Sequence, residues 1–184
     1  MRALPALLLG GGLLLPLSAP ASAADPAVED LAIALNGVQV LASFRLEGGF
    51  SPQLRERIDS GLPTGFLFEL ELARDRKRWW DEVLGSTRIE VVAMFNAVTR
   101  EYLVNTKHAG KLIDSRTLRD PAELEQAMSR FAAVPVFVLR GASRRERYLV
   151  RVRAELGTDN LLGFVPVMRS TDWVESNKVR PREP

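Results

Sequence analysis

His108 is the one histidine of this chain, in the stretch Asn105-Thr106-Lys107-His108-Ala109-Gly110, and the first side chain to ask about proton transfer. A general base needs one partner to orient it and another group to act on. Asp114 and Ser115 follow within a few residues, but no elbow motif or pair of oxyanion glycines accompanies them. The polar, glycine-bearing stretch reads as a loop and His108 as an exposed residue in it, not a catalytic one. Glu69 and Glu71 are the next candidates. On one strand face they would stand roughly 6.6 Å apart, just inside the spacing inverting glycosidases use. Alternation makes such pairs on any solvated sheet face, and nothing adjacent would raise one pKa above the other. The chain has no cysteine, which removes disulfides, thiol nucleophiles, iron–sulfur clusters and thiolate zinc sites. A single histidine removes every multi-histidine metal site. The expectation is a protein that is not an enzyme, with no catalytic residue, no cofactor and no metal.

Two arginine-bearing features remain. In Arg76-Lys77-Arg78-Trp79-Trp80 the adjacent tryptophans cannot both point inward from a regular strand, and on a helical turn they stand about 100° apart. Tryptophan and arginine are enriched at binding hot spots, so Arg76, Arg78, Trp79 and Trp80 form a candidate interaction surface. The competing reading makes Trp80 core and Trp79 a lid stacked under an arginine. Arg145, Arg147, Arg151 and Arg153 alternate with Tyr148, Val150 and Val152 as a basic ribbon, with Arg151 and Arg153 expected to face solvent. The ribbon could bind an anionic lipid or glycan, or an acidic partner. It could equally pair across the sheet with Glu69 and Glu71, at roughly 0.2–1 kcal/mol per pair. Nucleic acid is a poor partner, because no aromatic residue stands on the arginine face to stack bases.

The elements that position these residues are mostly strands. Val38 to Leu46, Phe66 to Leu72, Ile89 to Phe95, Tyr102 with Val104, Val134 to Val138 and Tyr148 to Leu156 each alternate apolar with polar residues. No strand is apolar on both faces, and the turns between them are short and polar. That favours antiparallel meanders in a two-sheet sandwich over a parallel sheet. Two helices carry start signals. Ser51-Pro52 caps one with Leu54 and Ile58 on its apolar face and Gly61 and Pro63 at its end. Asp120-Pro121-Ala122-Glu123 caps the other, with Leu124, Met128 and Phe131 at helical spacing and Pro135 as its stop. Trp79 to Leu84, closed by Gly85, reads as a third, shorter turn. The fold expected is an antiparallel β-sandwich, in an immunoglobulin-like variant, with two or three short helices. It forms one domain over residues 24–176, followed by a disordered tail over 177–184.

The first 23 residues read as an export address. Arg2 gives the positive start, Ala3 to Leu17 is apolar apart from glycine and proline, and Ala21-Ser22-Ala23 suits a signal peptidase. The run is shorter than the roughly 20 residues a spanning helix needs. Cleavage after Ala23 and a periplasmic mature chain are expected. Composition agrees with an ordinary globular domain: 184 residues, 46% hydrophobic and 26% charged. Removing the leader takes Arg2 from the 25 basic residues and leaves 24 against 23 acidic ones, no large charge excess.

Four stretches resemble the exported bacterial family catalogued as domain of unknown function 4390. They are Ser60-Gly61-Leu62-Pro63 leading into the Phe66 strand, Arg74-Asp75-Arg76-Lys77-Arg78-Trp79-Trp80-Asp81, the strand pair Arg88 to Leu103 with Thr99-Arg100-Glu101-Tyr102, and Ser170 to Ser176 around Asp172-Trp173. Leu161-Leu162-Gly163-Phe164 departs from it, lacking a proline-flanked leucine, and nothing aromatic follows Ser176. The resemblance implies export and a β fold and supplies no catalytic residues. It also implies an envelope partner, such as the periplasmic domain of a sensor kinase. The functional expectation is therefore a non-enzymatic interaction module, with the anionic lipid or glycan binder as the alternative.

Overall fold

In a computed structural model the structure describes residues 25–76, 80–141, 143, 145–161 and 165–181. The leader over residues 1–23, its cleavage site, Arg78 and Trp79, and the Leu162-Gly163-Phe164 stretch lie outside the described residues. The elements run β1 (Ala27–Asn36), β2 (Gln39–Glu47), α1 (Pro52–Asp59), β3 (Thr64–Asp75), β4 (Glu82–Asn96), β5 (Glu101–His108), β6 (Lys111–Leu118), α2 (Pro121–Ser129), β7 (Arg130–Val138), β8 (Arg147–Leu161), β9 (Val165–Ser170) and β10 (Val174–Glu175). One sheet has the order β1-β2-β7. The other has β10-β8-β3-β4-β5-β6, with β9 also on β8. Every strand pairing is antiparallel. The chain is mainly β, as the alternation predicts.

The alternating apolar rows are what bring the sheets together. Val40, Ala42, Phe44 and Leu46 of β2 are buried, as are Phe66, Phe68, Leu70 and Leu72 of β3 and Tyr148, Val150, Val152, Ala154 and Leu156 of β8. Phe44 and Phe131 pair in register on β2 and β7 and stack at 4.8 Å. Phe68, from the other sheet, tilts against both at 5.2 and 4.9 Å. The two sheets are thus joined in a sandwich-like arrangement. Fully burying side chains such as Phe68, Leu70 or Val150 stabilises by about 1.5–3 kcal/mol each.

Both helices begin where their caps place them. The Ser51 hydroxyl accepts from the Leu54 N–H at 3.2 Å, and the Asp120 carboxylate accepts from the Ala122 N–H at 2.9 Å. Leu54, Ile58, Leu124 and Met128 are buried. The third turn is not helical. Glu82 and Val83 belong to β4, paired with Arg74 and Ala73, because a short helical turn nucleates poorly while the long β3–β4 ladder is already in place. Phe131 and Pro135 belong to β7, where proline is tolerated because that strand is at a sheet edge. Val138, expected on the same apolar face as Val136, is exposed, beyond a register shift against β2 that pairs Val40 with Phe137 and Leu41 with Pro135 and leaves Val136 extra. The segment from Asn177 to Val179 is anchored, contrary to the tail expected there. The Asn177 amide accepts from the Ile33 N–H at 2.7 Å and donates to its carbonyl at 3.0 Å, and Val179 bridges Tyr148.

Candidate interaction surface

β3 and β4 form a long hairpin whose tip carries Trp80. Charged side chains at its base pair with one another. Arg74 reaches Glu146 at 3.0 Å and Glu82 at 3.5 Å, and Arg76 also pairs with Glu82. The Asp81 carboxylate accepts from the Arg76 N–H at 3.2 Å and from Arg151 at 2.8 Å. Among the described residues around the tip, three large apolar side chains face solvent. Trp80 is 92% exposed, Val83 49% and Leu84 40%. The β3–β4 register shifts between Leu72 and Ala73, which leaves Leu84 as an extra residue and turns it outward beside Val83. Trp80 is therefore not core. It occupies a hairpin tip beyond the paired residues, where no second sheet can cover it. A tryptophan that does lie under an arginine is Trp173, with the Arg153 guanidinium 4.8 Å from its ring.

The arginine ribbon is interrupted and engaged. Arg145 lies in the turn before β8, with its N–H on the Ser143 hydroxyl at 3.3 Å. Leu149, between Arg147 and Arg151, is buried. Arg147 pairs with Asp75 at 2.5 Å, Arg151 with Asp81 at 2.8 Å and Glu175 at 2.9 Å, and Arg153 with Glu69. The side chains of Arg151 and Arg153 keep only 25% and 33% of their exposure, so they are half-buried, not free on the solvent side. The hydrogen bond from Lys178 and the charge of Arg147 outweigh desolvation and hold the Asp75 carboxyl below its ordinary value. The ribbon and the acidic face of β3 are brought together as cross-strand partners, Glu69 opposite Arg153 and Glu71 opposite Arg151.

His108 ends β5 and is not in a loop. Ala109 and Gly110 follow with φ of 49° and 78°, the two positive values of a tight two-residue hairpin turn into β6. The imidazole Nε2 lies 3.0 Å from the Thr87 hydroxyl, and burial pushes its pKa below 6.5. Ser115 bonds to Asn105 at 2.8 Å and Asp114 to Arg116 at 2.6 Å, so the structure assembles neither with His108. Among the described residues no group of histidine, aspartate and glutamate could hold a metal ion. A cleft of about 1210 Å³ opens at the other end of β3, against Phe50, Leu54, Phe66 and Leu156, with Glu56 and Arg57 also lining it. Reading the sequence missed Asp75, Asp81 and Trp173. All three fall in stretches that carry the family resemblance, but the reading gave none of them a role.

A family model described as Domain of unknown function (DUF4390) matches residues 23–174. No curated protein and no solved structure matches the chain. The chain belongs to that family.

Proposed function

We propose that this member of the family is an exported, non-enzymatic interaction module that docks on an envelope protein, such as the periplasmic domain of a sensor kinase. The observation that carries the reading is Trp80, 92% exposed at the tip of a hairpin where the described Arg74, Arg76, Asp81 and Glu82 are already paired. A large aromatic left in water beside Val83 and Leu84 is of the type that anchors protein interfaces. The engagement of Arg147, Arg151 and Arg153 with carboxylates argues against an anionic lipid or glycan on that face, because each guanidinium would have to give up a partner first. The pairing of His108 with a threonine hydroxyl, not a carboxylate, fits a chain without acid–base chemistry.

The test is capture of the partner from the native envelope by crosslinking, at two salt concentrations, with the Trp80→Ala and Arg145→Glu variants, circular dichroism confirming the fold. Removing an aromatic anchor costs about 2 kcal/mol or more, roughly thirtyfold in affinity, with little salt dependence. Trp80→Ala is expected to lose the partner and Arg145→Glu to keep it. The opposite outcome, with binding that falls steeply with salt, would favour an electrostatic surface instead.

A further inference from the structure

The β3–β4 hairpin has a second property, and it bears on how a partner would bind if the interaction reading holds. β3 pairs with β4 from Glu82 to Ala93, but β5 covers the other edge only from Ile89 to Asn96. Next to that junction the Ala109 N–H donates to the Arg88 carbonyl at 2.9 Å. From Glu82 to Thr87 no described strand lies on that side. Peptide groups along a strand alternate between its two edges, so the Arg88 bond sets the phase. Ser86, two residues back, sends its N–H and C=O into the open slot, while Gly85 and Thr87 face β3. Natural sheets blunt such edges with charge, proline or a covering segment. Val83-Leu84-Gly85-Ser86-Thr87 has no charge and no proline. Only the irregularity at Leu84 ends the regular edge, which makes the slot short and places Leu84 and Trp80 at its far end.

We infer that this slot takes an extended segment of the partner protein, added as an antiparallel strand in line with β5. Backbone hydrogen bonding to an edge is satisfied by another strand, and this sheet pairs antiparallel throughout. An antiparallel segment runs in the direction of β5 and begins where β5 ends, at the turn before Lys111. Lys111 has no ion pair among the described residues, whereas Glu82 and Arg88 beside the slot are paired within the chain. The segment therefore starts with an acidic residue facing Lys111 and continues with uncharged, apolar residues that reach Leu84 and Trp80.

The probe is a phage-displayed library of random linear dodecapeptides, panned on the purified protein, with the selected sequences then synthesised and titrated. Selected peptides should carry an acidic residue ahead of alternating apolar ones. Their binding should slow hydrogen exchange at the Ser86 amide about tenfold or more in the wild-type protein. Ser86→Pro, which removes the donor facing the slot, should weaken binding about tenfold or more, while Ser86→Ala binds as wild type. The strand-addition inference is overturned by a failure to select any peptide, by binding that leaves Ser86 exchange unchanged, by Ser86→Ala losing as much as the proline variant, or by self-association through this edge in ultracentrifugation. The interaction reading fails by a different result, capture of the envelope partner that survives Trp80→Ala.

Discussion

Glu69 and Arg153 stand opposite each other on β3 and β8, and one Glu69 carboxylate oxygen takes the arginine Nε at 2.7 Å and its Nη2 at 2.5 Å. The other oxygen takes Arg88 at 3.2 Å, and Trp173 lies under the Arg153 guanidinium at 4.8 Å. Three strands are cross-linked at one carboxylate whose side chain is only 17% exposed. This geometry makes the arginine face part of what holds the larger sheet together.

Arg153→Ala should therefore destabilise the fold by about 1–2 kcal/mol, more than an exposed ion pair would, because it strips a partly buried carboxylate of its main donor. Arg153→Glu should cost more, since like charges then face each other across the strands. Urea denaturation of the two variants checks both. Stabilities equal to wild type would mean the pair is ornamental and the ribbon is free to serve a ligand.

Gly65 of β3 lies close against the backbone of β4. A Cβ there would sit 1.8 Å from the Val91 carbonyl oxygen, and backbone cannot swing aside as a side-chain tip can. Gly65→Ala should cost at or beyond the upper end of the about 1–3 kcal/mol typical of overpacking, read as a fall in thermal midpoint or as insoluble expression. A variant as stable as wild type would contradict the β3–β4 register.

His108 should make stability depend on pH. Burial lowers its folded pKa below 6.5, so in mildly acidic solution the unfolded chain binds a proton that the folded chain refuses. Stability from this group is complete above about pH 6.5 and is lost as pH falls toward the folded pKa. Asp75, also depressed, adds its own loss only below its ordinary 3.8. Denaturation of wild type and His108→Gln between about pH 7.5 and 5 should show the wild type losing more. Parallel curves would place the imidazole in water. The same variant should still capture the partner, since no acid–base role is assigned to it.

Processing gives an independent check. Mass spectrometry of the protein recovered from its native envelope should place the N-terminus at Ala24. A full-length product held in the inner membrane would replace release with tethering.

Much of this architecture could be read from alternation because most strands bury one face and wet the other. β1, β6, β9 and β10 escaped, the first two for plain physical reasons. β1 is broken by Asp30, whose φ of 55° accompanies a register shift against β2. β6, Lys-Leu-Ile-Asp-Ser-Arg-Thr-Leu, is exposed along nearly its whole length at a sheet edge, so neither face leaves a periodic trace. His108 looked like a loop residue because a polar strand end and a turn share the same composition. The pairing of Arg151 and Arg153 with the acidic face of β3 was legible as one of two readings. Choosing between them needs the register, which composition does not carry. The exposure of Trp80 was hidden by its own size, since a large aromatic is as good a core residue as an interface anchor until the hairpin around it is known.

The most direct measurement of the central claim is site-specific photocrosslinking in living cells, with a photoreactive residue at Val83 or at Val98. Val98 is 92% exposed on the β4–β5 turn, at the opposite end of β4, and so controls for exposure alone. The account expects one envelope protein to be captured from Val83, nothing from Val98, and the Val83 adduct to fall about tenfold or more when Trp80→Ala is added. Capture from Val98, or a Val83 adduct indifferent to Trp80→Ala, would contradict it.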